Sequence, residues 1–173
     1  MVRSFHRLRS VVGVLILVTV AAGVVMAAPI LPRKPQLPDE VRCLTGLKRV
    51  SIAIDPLPQE LVAAKVGADR LQAVLREELV RAGFEVVDEN ITPRLIVQCF
   101  TVVDPANPET IGVTTLLGVN QEVLLKRLNQ EMTLPVATVV TTAMGKRSDL
   151  PRVAESEVRR VVSMLETFVA RTR

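Results

Sequence analysis

The chain has 173 residues and a 49% apolar share, enough for one domain with a single core. Its formal charge of +4 is local, because Arg3, Arg7 and Arg9 precede the first apolar run and the remaining basic residues nearly balance the 18 acidic ones. With no broad basic surface and no Trp or Tyr to stack bases, nucleic-acid binding is not expected. The only histidine, His6, also precedes that run, so a processed chain would hold no imidazole for a triad, a general base or the usual zinc sites.

Residues 1–27 have the parts of a secretory signal: the basic head, an apolar stretch from Val11, and small residues at Val25 and Ala27. At about 1.5 Å per residue, the apolar residues 11–28 barely span a bilayer core of roughly 30 Å. The leader is therefore expected either to be cleaved after Ala27 or to stay as an anchor, the one route to membrane association. Under both readings the rest is exported, to the periplasm or beyond the cell, or tethered to the inner membrane if the leader stays. Pro29, Pro32, Pro35 and Pro38 recur at spacing three, which predicts an extended spacer over residues 28–47, with a single domain over residues 48–173.

In that domain Val50, Ile52 and Ile54 alternate with Ser51, Ala53 and Asp55 as in a strand with one buried face, and Asp55-Pro56 ends it. Leu71, Val74, Leu75 and Leu79 make one stripe of a helix that starts as early as Leu61. Gly83 is its left-handed C-cap, Phe84 folds back on the last turn, and a second strand runs over residues 84–88. Residues 95–103 read as a central strand, since Leu95, Val97, Cys99 and Val103 point one way and Ile96, Gln98, Phe100 and Val102 the other. Residues 112–128 and 133–142 form a hairpin bending near Asn129 and Gln130, although residues 122–128 also suit a helical turn. Pro151 opens a last helix with Val158, Val161, Val162, Leu165, Phe168 and Val169 on its apolar face. The order is β-α-β-β-β-β-α, an α+β fold with a mostly antiparallel sheet and two helices on one face. Strand one is expected parallel to strand two and beside strand three, with those two running opposite ways.

Chemistry is sparse. Gly145-Lys146-Arg147-Ser148 lacks the first glycine of a phosphate-binding loop, since Val140 stands in its place, and no serine lies in a nucleophile elbow. Asp55 could approach Asp88 and Glu89 at one sheet edge, with Asp104 at the opposite edge. That arrangement carries the alternative reading of a carboxylate-based, metal-dependent hydrolase, against the ordinary one of solvated turns. No catalytic, cofactor or metal residue is assigned, and no cofactor is expected. Cys43 and Cys99 are placed within reach of a disulfide by an antiparallel third strand, the alternative being two separate thiols. Ile96, Phe100 and Val102 make the second face of the central strand apolar while two helices cover only one face. That face is expected to meet a partner protein, a second subunit or a lipid-like ligand, unless the Pro-rich arm or the hairpin folds over it. The hairpin also offers an edge strand for pairing.

The leader, the β-α-β-β order of residues 50–103 and the C-terminal helix together resemble small exported envelope α/β domains, such as the amino-terminal domain of TolB and the lipopolysaccharide-assembly lipoprotein LptE. The resemblance implies a non-enzymatic part of an envelope assembly. Ala28 departs from it, standing where a lipoprotein of that kind carries its lipidated cysteine.

Overall fold

A computed structural model describes residues 38–89 and 91–172; the leader, the arm up to residue 37, Asn90 and Arg173 lie outside the described residues. The elements are α1 (Asp39–Arg42), β1 (Arg49–Ile54), α2 (Gln59–Ala63), α3 (Ala68–Arg81), β2 (Glu85–Val87), β3 (Arg94–Asp104), β4 (Asn107–Leu125), β5 (Gln130–Lys146), a 3-10 turn (Arg147–Asp149) and α4 (Leu150–Ala170). The five strands form one sheet in the order β2-β1-β3-β4-β5. Helix α3 lies over β1 and β2, α4 lies over β4 and β5, and the two helices touch each other. The α+β architecture with its two main helices on one face is thus as expected.

Local chemistry sets the element ends. Gly83 has φ of +86°, and the Phe84 amide bonds the Leu79 carbonyl while that of Gly83 bonds Val80, the paired bonds of a Schellman cap. The same cap divides the expected single helix in two. Lys65 takes a left-handed φ of 61°, and the amides of Val66 and Lys65 return to the carbonyls of Leu61 and Val62, so α2 closes before α3 begins. The core starts earlier than the expected boundary at Lys48, since Leu44 and Leu47 are buried in it beside Val50, Leu61 and Leu95.

The direction of β3 corrects the expectation. It lies beside β1 but parallel to it, with Ser51 opposite Arg94 and Ile54 opposite Val97. Parallel neighbours on both sides of β1 ordinarily require a long crossover. Here β2 is only three residues long and ends at the level of Ser51, where β3 begins, so residues 88–93 can step across β1. Ser51 fastens that step, its amide bonding the Pro93 carbonyl and its hydroxyl the Ile91 carbonyl at 2.6 Å. The sheet is mixed, with antiparallel pairing confined to β3, β4 and β5.

The hairpin is longer than the pattern predicts. Pro105 and Ala106 alone connect β3 to β4, and the Asp104 carboxylate accepts the Ala106 amide at 2.9 Å. Strand β4 continues through Leu125, so the helical alternative for residues 122–128 is not adopted; Asn129, at φ 48°, helps close the bend. Beyond Asn120, β4 has left β3 and pairs with β5 alone, so the end of the hairpin projects as a two-stranded arm. Among the described residues no helix is long and apolar enough to cross a membrane.

Candidate functional site

Successive side chains of a strand point to opposite faces, and the register fixes which of them share the face away from the helices. Val102, Gly112 and Met144 form one row across β3, β4 and β5; Phe100, Thr114 and Thr142 form the next; Gln98, Leu116 and Val140 the third; Ile96, Gly118 and Thr138 the fourth. Phe100 is 51% exposed, Val102 69%, Val140 50% and Met144 69%. These apolar groups lie on β3 and β5, with Leu116 of β4 in the row between, and no described segment covers them. On the β1 side the same face is partly closed by the step across Ser51, which is buried although it lies outside the helix layer.

Ile96, Phe100 and Val102 share this face with Leu116, Val140 and Met144, which the sequence reading did not single out. Their signal was present: Thr138, Val140, Thr142 and Met144 alternate with Ala137, Val139, Thr141 and Ala143 along β5. Gly112 and Gly118 give the face relief. Neither carries a side chain between its neighbours, and beside Gly118 an open hollow of about 290 Å³ is bounded by Ile96, Leu116, Pro135 and Thr138. The polar members are few: Gln98 donates to the Asp55 carboxylate at 2.6 Å, and the Thr114 and Thr142 hydroxyls lie 3.0 Å apart. The surface suits contact with an apolar or mixed partner surface and contains no proton-transfer group apart from Asp55 at its margin.

The carboxylates are not gathered. Asp88 is next to Val87, which pairs with Ser51, so Asp55 lies about three residues or roughly 10 Å farther along the sheet. Asp88 is paired with Arg76 of α3, and Glu89 with Arg49 at 3.7 Å. Because β3 is parallel to β1, Asp104 belongs to the same end of the sheet as Asp55 instead of the opposite one, yet six residues beyond Gln98, the partner of Asp55. Among the described residues no group of three or more His, Cys, Asp or Glu is placed to hold a metal ion.

The cysteines are likewise apart, for the same reason. Cys99 faces Thr115 of β4, whereas Cys43 lies by residues 119–121, its carbonyl accepting Gln121 Nε2 at 3.2 Å and its thiol donating to the Val136 carbonyl at 3.4 Å. Four or more strand residues separate the two positions, roughly 13 Å or more, against the ~7 Å limit between Cα atoms of a disulfide. The two are not bonded to each other. Burial pushes the Cys99 thiol up from its ordinary pKa, partly opposed by the nearby Thr115 hydroxyl.

No family model matches the chain, and no curated protein matches it. Several solved structures are similar. They include a minor lipoprotein from Acinetobacter baumannii, at 11% identity over 69% of this chain and 94% of that one, with a TM-score of 0.36. A PelC dodecamer from Paraburkholderia phytofirmans shares 17% identity over 70% of this chain and 87% of that one, at 0.37. An uncharacterized lipoprotein B from Nitrosomonas europaea shares 12% identity over 73% and 80%, at 0.26. Two of these three are described as lipoproteins, and neither TolB nor LptE is named among them. Overlaps this low leave the reading of the chain to its own residues.

Proposed function

We propose that this protein is a non-enzymatic binding module of the cell envelope, exported by its leader, whose contact surface is the open face of the sheet. The observation that carries the reading is the exposure of Phe100 and Val102 on β3 and of Val140 and Met144 on β5, all on the face of the sheet that no described helix covers. Apolar groups gathered on a surface gain free energy when a partner removes them from water, at roughly 25 cal/mol per Å². The occupant is a protein partner, with a second copy or a lipid-like ligand as the other outcomes of the test.

Crosslinking in native cells, with recovery through a C-terminal tag and mass spectrometry, tests the reading. The wild-type chain should give a defined crosslinked species. Phe100→Glu combined with Met144→Glu should abolish it while moving the melting temperature little, since exposed substitutions change stability by about 0.5 kcal/mol or less. A doubly charged variant that keeps both its fold and its crosslinked species would overturn the proposal.

A further inference from the structure

Strand β5 ends the sheet, and one side of its backbone has no neighbouring strand. Among the described residues no backbone bond reaches the outer side of residues 137–146; the carbonyl of Val136, which has no pairing partner on β4 where the register shifts, takes the Cys43 thiol. Natural edge strands are usually blunted by charge. This one carries no charged residue between Thr133 and Gly145.

Helix α4 runs antiparallel to β5 along this edge. Near its start, Val153 lies so close that a Cβ on Gly145 would meet Val153 Cγ2 at 2.7 Å; near its end, Phe168 shares a hollow of about 390 Å³ with Val136, Ala137 and Val139. One turn past Val153 comes Glu157, which borders a smaller hollow of about 210 Å³ with Ala143, Arg152, Val153 and Ser156; the Arg152 side chain is 84% exposed and has the Asp149 carboxylate at 3.9 Å. Glu157 is only 3% exposed, its Oε2 has no hydrogen-bond partner, and Oε1 has Arg160 at 3.7 Å. Two strand positions before Ala143, Thr141 is 5% exposed and its hydroxyl is also without a partner. A buried carboxylate oxygen lacking a donor is unfavourable, and a donor brought by a ligand relieves that.

We propose that the groove between the β5 edge and α4 binds an extended polypeptide segment, which pairs with β5 as an added strand and sets a Lys or Arg side chain against Glu157. Main-chain bonds to the edge supply affinity that is indifferent to sequence, and alternate side chains entering the groove supply selectivity. The hollow at Ala143 and the one reaching Val139 are four strand positions apart, so they fall on one face. The preferred segment therefore carries a basic residue and an apolar residue four positions apart, the apolar one over Phe168. A second copy is a poorer occupant, because its own β5 has no cation between Thr133 and Gly145 to offer Glu157. The surface is distinct from the open face, so the two proposals fail independently.

The test uses the full chain and three fluorescein-labelled nine-residue peptides of alternating Thr and Val, identical except for Lys, Gln or Glu at one groove-facing position four residues from a Val. Fluorescence polarisation should rank Lys tightest, at least about tenfold over Gln, with Glu weakest. Glu157→Gln should shrink the Lys preference to about twofold or less while the Gln peptide still binds. Hydrogen exchange with the Lys peptide should slow within residues 137–146. Equal affinity for all three peptides, binding to none of them, protection outside β5, or a self-association that the peptides cannot displace would each overturn the proposal.

Discussion

The two faces of the sheet are made by the same strands from similar residues, and they live in different solvents. In β3, Leu95, Val97 and Cys99 are buried under the helices while Phe100 and Val102 on the other side are exposed; in β4, Leu117 is fully buried and its neighbour Leu116 only half-buried. Alternation decides which residues share a face, and coverage by α3 and α4 decides which face becomes core. Stability is therefore concentrated on one side, and the other is left exposed.

The largest effect should come from adjacent leucines. Leu117→Ala removes fully buried methyl groups and leaves a cavity, so it should lower unfolding free energy by about 2–5 kcal/mol in urea titration. Leu116→Ala trims a side chain that water already reaches, and its loss should be about 1 kcal/mol or less. Equal losses would mean that the open face is covered in solution, and the contrast between the faces would vanish.

This contrast also marks how far the sequence could be read. Alternation in residues 95–103 separated Leu95, Val97 and Cys99 from Ile96, Phe100 and Val102, because period two is a local property. The helix stripe of Leu71, Leu75 and Leu79 and the Gly83 cap were legible for the same reason. The direction of β3 was not. It depends on β2 being short enough for residues 88–93 to step across β1 at Ser51, a pairing between positions about 40 residues apart that no periodicity records. That error then misplaced Cys99 against Cys43 and Asp104 against Asp55. Glu157 was overlooked because it belongs to an apolar stripe of α4 with Val153 and Phe168, where the count of apolar residues conceals the one charge.

The thiols sharpen the comparison at a second level. Cys99 belongs to the covered face, and burial raises its pKa, so it should be alkylated only as fast as the molecule opens, while half-buried Cys43 reacts sooner. Mass spectrometry after timed alkylation at pH 8 reads both rates, and two thiols should titrate in the denatured, unreduced protein. No thiols at all would restore the disulfide and require β3 to lie differently, whereas a single slow pool of two thiols would mean that Cys43 is covered as fully as Cys99.

Acid should act on the helix layer and leave the open face almost untouched, the smallest of these effects. Arg70 Nε donates to Glu155 Oε1 at 2.9 Å, joining α3 to α4, and this bond holds the Glu155 carboxyl below its ordinary value near 4.5. The Thr101 hydroxyl donates to Glu60 Oε2 at 2.7 Å and lowers that carboxyl too, joining β3 to α2. Both folded-state values lie below the unfolded ones, so the unfolded chain binds protons first as pH falls. The stabilisation is fully present well above pH 4.5, weakens as pH drops through that value, and is gone below the lowered folded values. Both residues are partly exposed at the surface, so the change in melting temperature should be slight and should shrink further in high salt. Glu155→Gln should flatten part of the acid limb. Phe100→Glu with Met144→Glu should leave that limb nearly as it is, because Thr114 stands opposite position 100 and Gly112 opposite position 144, and Lys146, two positions along β5 on the same face, is exposed to water. A markedly steeper acid limb in that double variant would mean that the Lys146 cation is held firmly against the open face, and the separation of a charged, load-carrying side from an apolar, exposed one would have to be redrawn.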